Sequence, residues 1–179
     1  MQKIISTDKM RIINECLDEK YKLFLFIPSF IRLFPRSGNM HKMDIKQKLR
    51  FLTLLIHGYK VYVLSDLENN TIGCVTVANG KTYRYPFADE NDLIIGPYFV
   101  LPEYRRQGIA TRMIKCVIER YETNYNSLFA HIWHENQASV ECMKKLGFHT
   151  IGTLRTTRIL QTCIPDKEGK LILVRKKHS

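Results

Sequence analysis

The sequence predicts an α/β (α+β) fold: a central mixed, mostly antiparallel, twisted sheet of about six or seven strands with helices on both faces. Three observations predict it. The stretch "YKVYVLSDLENNTIGCVTVANG" reads as two apolar strands joined at the turn residues Asn69 and Asn70. From Ile109 the apolar positions Ile109, Ala110, Met113, Ile114, Val117, Ile118 and Tyr121 recur at helical spacing. That helix is followed by the strand-like "SLFAHIW", the short helical run "NQASVECMKKLGF" and two closing strands, an alternation that layers helices on a sheet.

Taken in order, an early helix is expected over residues 8–20. The most apolar run, "LFLFIPSFIRLF", is shorter than the ~20 residues of a bilayer span, and Pro28 and Arg32 interrupt it. It reads first as a helix or lid packed on the domain. Its aromatics beside Arg32 and Arg36 also suit contact with a membrane surface. Asp44 with Gln47 three residues later makes a capping-box pattern. Ile45, Leu49, Leu52 and Ile56 then share a helix face, and Gly58 offers the stop. In "DLIIGPYFV" a strand meets Gly96 and Pro97, a pair that signals a bulge or the end of pairing, often where a ligand meets the backbone. Gly147 ends the later helix with Phe148 placed to pack back. "TIGTLRTTRIL" and "KLILVRKK" close the sheet.

A chain of 179 residues without linker, repeat or low-complexity tract suits a single domain over residues 1–179. The amino-terminal stretch lacks the unbroken apolar run of a signal peptide, and no transmembrane segment is expected. Five dispersed cysteines without a CxxC pair fit reduced thiols in the cytoplasm better than a disulfide framework. Neither they nor the histidines show metal-ligand spacing, so no metal is expected. The net charge of +11 implies an anionic partner or a cationic surface. The basic residues are spread along the chain without a nucleic-acid-binding motif, which argues against nucleic acid as the principal partner. A phosphorylated small molecule satisfies the same charge.

The chemistry is densest in "LPEYRRQGIATRMI". A strand end, a tight basic loop and a helix start make an anion site, because the first amides of a helix lack intrahelical partners and the helix dipole adds positive charge there. Gly108 has no side chain to hold a phosphate away, and Arg105 and Arg106 add directional donors. An ordinary solvated basic loop is the competing reading.

The spacing R-x-x-G-x-A of Arg105, Gly108 and Ala110 resembles the acetyl-CoA signature of the GNAT superfamily of N-acetyltransferases. "NQASVECMKKLGF" resembles the later segment of the same family, N-x-x-A/S followed by a short helix ending in K-x-G-F. The resemblance covers roughly residues 92–151. It implies a GNAT-like fold, with a helical acceptor-side region over residues 1–58 and the sheet and CoA-binding core over 59–179. It also implies acetyl transfer from acetyl-CoA, a co-substrate, to a primary amine by direct attack in a ternary complex. Arg105, Arg106, Gln107, Gly108, Ile109, Ala110 and Thr111 would hold the CoA pyrophosphate, mainly through backbone amides. The strand through Tyr98, Phe99, Val100 and Leu101 would splay from "SLFAHIW" and pair with the pantetheine arm, with Asn136 and Ser139 close to that arm.

In many members of the family a tyrosine of the late helix protonates the leaving thiolate. Here Met143 stands in its place, and methionine cannot donate a proton. His131 matches the position of a catalytic glutamate in the ribosomal-protein alanine N-acetyltransferases and suits a general base. The alternative is a histidine packed on the sheet. His134 and Glu135 border the same strand end, Tyr98 is a candidate donor to the thiolate, and Asp92 a candidate for binding the amine. Arg32, Arg36, His41 and Lys42 suit a small anionic acceptor such as a nucleotide-linked amino sugar. A protein N-terminus, an aminoacyl-tRNA and a non-catalytic CoA-binding regulatory module are the alternatives. A homodimer is compatible with such folds.

Overall fold

The computed structural model describes residues 10–17, 20–35, 44–121, 125–158 and 161–177. The chain divides into two compact units: unit one is Met1–Val77 with Pro97–Glu119, and unit two is Ala78–Gly96 with Arg120–Ser179. Two strands, β4 (Thr71–Asn79) and β5 (Leu93–Val100), run from one unit into the other along the chain.

In unit one the strand order is β1-β2-β3-β4-β5, with β1 at Met10–Leu17, β2 at Tyr21–Phe26 and β3 at Tyr59–Ser65. β1 and β2 stand in place of the helix expected over residues 8–20 and take up the start of the aromatic run, so the described part of this region is two strands followed later by a helix. The reason is pairing that periodicity does not see. β2 is antiparallel to β1 on one side, with Met10↔Phe26 and Ile12↔Phe24 opposed, and antiparallel to β3 on the other, with Phe24↔Val63 opposed. A strand held on both sides buries its alternating and intervening side chains alike, and Leu23, Phe24 and Phe26 are all buried. Three residues separate β1 from β2, enough for a hairpin, and the ladder overrides weak helix propensity. The β3–β4 turn is as the sequence leads one to expect. Asn69 has φ 65°, and the Asp66 carboxylate accepts from the Asn70 amide at 2.7 Å and from its side-chain nitrogen at 2.9 Å.

Helix α1 (Ile45–His57) starts at a complete capping box. The Asp44 carboxylate accepts from the Gln47 amide at 2.6 Å, and the Gln47 side chain accepts from the Asp44 amide at 3.3 Å. Its inward face is Phe51 and Leu54, with the Phe51 ring edge-on to Phe34 at 4.2 Å and 5.5 Å from Tyr59. The apolar stripe Ile45, Leu49, Leu52 and Ile56 faces outward. Helix α2 (Ile109–Glu119) behaves oppositely, burying Ile109, Met113, Ile114, Cys116, Val117 and Ile118.

In unit two the strand order is β5-β6-β9-β7-β8, with β6 at Ser127–Trp133, β7 at His149–Thr156, β8 at Cys163–Pro165 and β9 at Leu171–Lys177. β5 and β6 pair in parallel, and the other registered pairs of this unit are antiparallel, so the sheet is mixed. Helix α3 (Gln137–Lys145) connects β6 to β7 and ends as anticipated: Gly147 has φ 82°, and the Phe148 amide returns to the Met143 carbonyl with its ring buried. Among the described residues there are nine strands, against six or seven expected. The additional ones are β1, β2 and the three-residue β8, which folds back on Leu154, Arg155 and Thr156 of β7.

Candidate active site

The β5–α2 loop of unit one is built by two local constraints. Leu101 donates its amide to the Ile72 carbonyl at 2.9 Å, fixing the end of β5 against β4. A side chain at Gly73 would meet the Phe99 carbonyl oxygen at 2.5 Å, so glycine there permits that close approach. Amides alternate in direction along a strand, so the Val100 amide points away from β4. On that same side the Val100 carbonyl accepts from Arg105 Nε at 2.9 Å. The Arg105 guanidinium also lies 5.7 Å over the Phe99 ring, and it therefore ties the loop to the strand as well as carrying charge.

Past a short 3₁₀ turn at Pro102–Tyr104 the backbone takes two left-handed residues, Arg106 at φ 61° and Gly108 at φ 72°. For arginine this conformation is strained, the kind of cost found where a loop is shaped for a ligand. Arg112 donates to the Gly108 carbonyl at 3.0 Å, the first helical bond after the loop. Among the described residues, the amides of Arg106, Gln107, Gly108, Ile109 and Ala110 have no acceptor. Five successive donors, a helix start, two exposed arginines and nothing within 4 Å of where a Gly108 side chain would begin form a cradle that fits a diphosphate. Thr111 lies in the first turn of α2, half-buried.

Unit two holds all but one of the other candidates. The β5–β6 ladder consists of Leu93↔Leu128 and Ile94↔Phe129 and stops before Gly96, whose φ is 112°, and Pro97, which has no amide proton. His131 sits mid-β6 opposite Leu173 of β9, its ring 5.7 Å from that of Tyr85. Asn136 is the N-cap of α3, accepting from the Ser139 amide at 3.2 Å, so its side chain is engaged in starting that helix. Met143, in the place of the expected tyrosine, is 0% exposed and belongs to the core. Asp92 is also buried; its carboxylate accepts from the Asp89 amide at 2.8 Å and its carbonyl from Gly80, so it closes its own loop. Tyr98, in unit one, is half-buried on β5.

Sequence reasoning missed one cluster. Arg84 is 2% exposed, and its Nε donates to the Tyr85 hydroxyl oxygen at 3.0 Å while Nη1 donates to the Gln161 carbonyl. The guanidinium also lies 5.3 Å over the Tyr85 ring. The Tyr85 hydroxyl accepts from a cation here, which directs its own proton elsewhere. The signal was the charge inside the aromatic run "YRYPF", but a loop has no periodicity to show which way such a charge faces.

An open cleft of about 370 Å³ in unit two is lined by Trp133, Arg155, Asp166, Glu168 and Lys170 among others, none of them a predicted site residue. Among the described residues no group of three or more His, Cys, Asp or Glu converges as a metal site.

The chain matches the model of the acetyltransferase (GNAT) family over residues 26–148. No curated protein matches it significantly. Among solved structures it is similar to the ribosomal-protein-S5-alanine acetyltransferase of Vibrio fischeri, at 19% identity and TM-score 0.57 over 96% of this chain and 98% of that one. It is similar to the spermidine N-acetyltransferase of Vibrio cholerae in complex with CoA and spermine, at 15% identity and TM-score 0.55 over 87% and 95%. A spermidine N-acetyltransferase chimera from Vibrio cholerae and hSSAT matches at 19% identity and TM-score 0.50 over 67% of this chain and 66% of its own, about two thirds of that relative. At these identities the structures establish the fold, and the family model, spanning well over half of the sequence, establishes the rest: the chain belongs to the GNAT acetyltransferase family, a family of acetyl-CoA-dependent N-acetyltransferases.

Proposed function

We propose that this protein transfers an acetyl group from acetyl-CoA to a primary amine of a small-molecule acceptor by direct attack in a ternary complex. The observation that carries the reading is the run of five unpaired amides from Arg106 to Ala110 at the start of α2. They supply donors and dipole for the CoA diphosphate, and Arg106 supplies charge beside them. The outward Val100 amide serves as a donor to the pantetheine arm or the acetyl carbonyl, with Phe99 and Leu101 holding the strand. Asn136 and Ser139 shape the start of α3 near that arm.

Bound acetyl-CoA supplies the activated acetyl thioester. The protein's part is to hold it and to move two protons. An ammonium has no lone pair, so the acceptor must lose a proton before attack, and His131 is the group assigned to take it, directly or through water. The departing thiolate needs a proton in return. Met143 cannot give one, and Tyr98 is the assigned donor, with the Tyr85 hydroxyl beside Arg84 as its rival. The net charge of +11 opposes a polycation such as the spermine bound by the Vibrio cholerae enzyme and suits an anionic amine such as a nucleotide-linked amino sugar. The described cysteines Cys74, Cys116, Cys142 and Cys163 are free thiols, which suits the reducing cytoplasm.

The deciding experiment is a screen of amines with acetyl-CoA, following thiol release, with amino sugars, polyamines and peptides in the panel. Release with an anionic amino sugar supports the full reading, and release with a peptide moves the acceptor to a protein N-terminus. Tight CoA binding without release from any amine would leave a CoA-binding module rather than an enzyme.

A further inference from the structure

The last residue of β6 is Trp133, the only tryptophan of the chain, and it is 55% exposed. Among the described residues no hydrogen bond, ion pair or ring contact engages its side chain. Every second side chain of a strand lies on one face, so Trp133 shares a face of β6 with His131, about 7 Å further along. Across the ladders Trp133 opposes Leu171 of β9, which in turn opposes Leu154 of β7. Both leucines are buried, and this row of three lines the open cleft of unit two. The volume of the cleft, about 370 Å³, falls within the ~300–1,000 Å³ of small-molecule sites.

Backbone contacts hold the rim of this cleft in place. The Asp166 amide donates to the Thr153 carbonyl at 3.0 Å, and the Thr153 hydroxyl donates to the Asp166 carbonyl at 2.6 Å. A side chain at Gly169 would collide with the Leu154 carbonyl, so glycine lets the turn lie against β7. The His134 amide donates to the Lys170 carbonyl at 3.0 Å, which ties the far end of the turn to the end of β6. Four charged residues then line the cleft, Arg155, Asp166, Glu168 and Lys170, and their charges cancel. Arg155 Nε donates to Asp166 at 2.8 Å, while the side chains of Glu168 and Lys170 have no partner among the described residues. A phosphate would meet two carboxylates here, and a polyamine would meet two cations, so neither matches the rim. An uncharged ring edged with hydroxyls matches it. The apolar face of such a ring covers the indole, and its edge both donates to carboxylates and accepts from Lys and Arg.

We propose that this cleft is the sugar subsite of the acceptor: a hexosamine ring lies on Trp133, with its hydroxyls on Glu168 and Lys170 and its amine directed back along β6 toward His131. Any phosphate of the acceptor lies outside the cleft. The assignment rests on the transfer to an amino sugar proposed above, and it names the residues that would recognise the ring.

Because Trp133 is the only tryptophan, its fluorescence reads the cleft directly, without turnover. The full chain is titrated with glucosamine, glucose, spermidine and inorganic phosphate. The expected result is a saturable change in emission with both sugars and none with spermidine or phosphate. Glu168→Ala, which keeps the fluorophore, weakens the response to both sugars. Trp133→Ala, followed by calorimetry, lowers glucosamine affinity about tenfold, the scale of a lost stacking contact, with the melting temperature unchanged. No emission change with either sugar overturns the proposal, as does an equal response to spermidine or phosphate. So does an emission that shifts with protein concentration as a dimer forms, which would assign Trp133 to a second copy. Thiol release from acetyl-CoA with an amino sugar but no response of Trp133 removes the subsite and leaves the transferase. Sugar binding at Trp133 without thiol release upholds the subsite and removes the transfer.

Discussion

Helices α1 and α2 belong to the same unit and are both amphipathic, yet they begin and face in opposite ways. α1 opens on a capping box in which Asp44 and Gln47 satisfy each other's amides, whereas α2 opens on a glycine with five amides left over. α1 leaves the stripe Ile45, Leu49, Leu52 and Ile56 outside and buries Phe51 and Leu54, while α2 buries nearly every apolar residue it has. A helix start that satisfies itself is built for stability. One that leaves its donors open, after a strained Arg106, is built for something that arrives later.

Four measurements sharpen or break this contrast. Gly108→Glu places a carboxylate in the cradle and, at φ 72°, strains the loop; acetyl-CoA affinity by calorimetry should fall at least about a hundredfold. Retained affinity would remove the loop from CoA binding. His131→Ala should lower turnover roughly a hundredfold, the scale of a lost general base, with acetyl-CoA affinity unchanged; turnover unchanged at every pH would return His131 to packing. Asp44→Ala removes the α1 cap and should cost about 1 kcal/mol, seen as a melting point lower by a few degrees, with no effect on acetyl-CoA affinity. If the cap variant weakens CoA binding as much as it lowers the melting point, the two helix starts are not doing different jobs.

The smallest effect concerns the sheet of unit one. Burial pushes the Cys74 thiol up to about 12 from its ordinary 9.0. The unfolded chain therefore sheds this proton above pH 9 while the native state keeps it, so stability present below pH 9 declines as pH rises toward 12. Cys74→Ala should flatten the alkaline limb of a stability–pH curve; an unchanged slope would show that the thiol titrates normally.

What the sequence disclosed follows the range of the interactions. The β5–α2 loop, the Asn69–Asn70 turn and the Gly147 stop are local, and each is legible from a few residues. β1 and β2 were not, because a ladder such as Ile12↔Phe24 joins residues whose own periodicity is ambiguous. β8 was missed because three residues paired with Leu154–Thr156 leave no pattern of their own. The stripe of α1 was read correctly as a face and could not be read as an outward one. Which side of a helix turns in depends on partners such as Phe34 and Tyr59, which lie outside the helix. Within the candidate site, the anion cradle was visible from Gly108 and its arginines, but the tethering of Arg105 to Val100 and the Arg84–Tyr85 contact depend on which way long side chains turn.

Arg84 also has a consequence for the order of events in time. Its side chain donates to the Gln161 carbonyl, 77 residues later, and its own carbonyl receives the Cys163 amide at 2.8 Å. During synthesis the amino-terminal part of a chain emerges first, and this guanidinium must stay hydrated until residues 161–163 arrive to receive it. The stretch around Arg84 therefore completes its structure only once residues 161–163 have been made, and a chain released before residue 161 carries a charge with no prepared place to be buried.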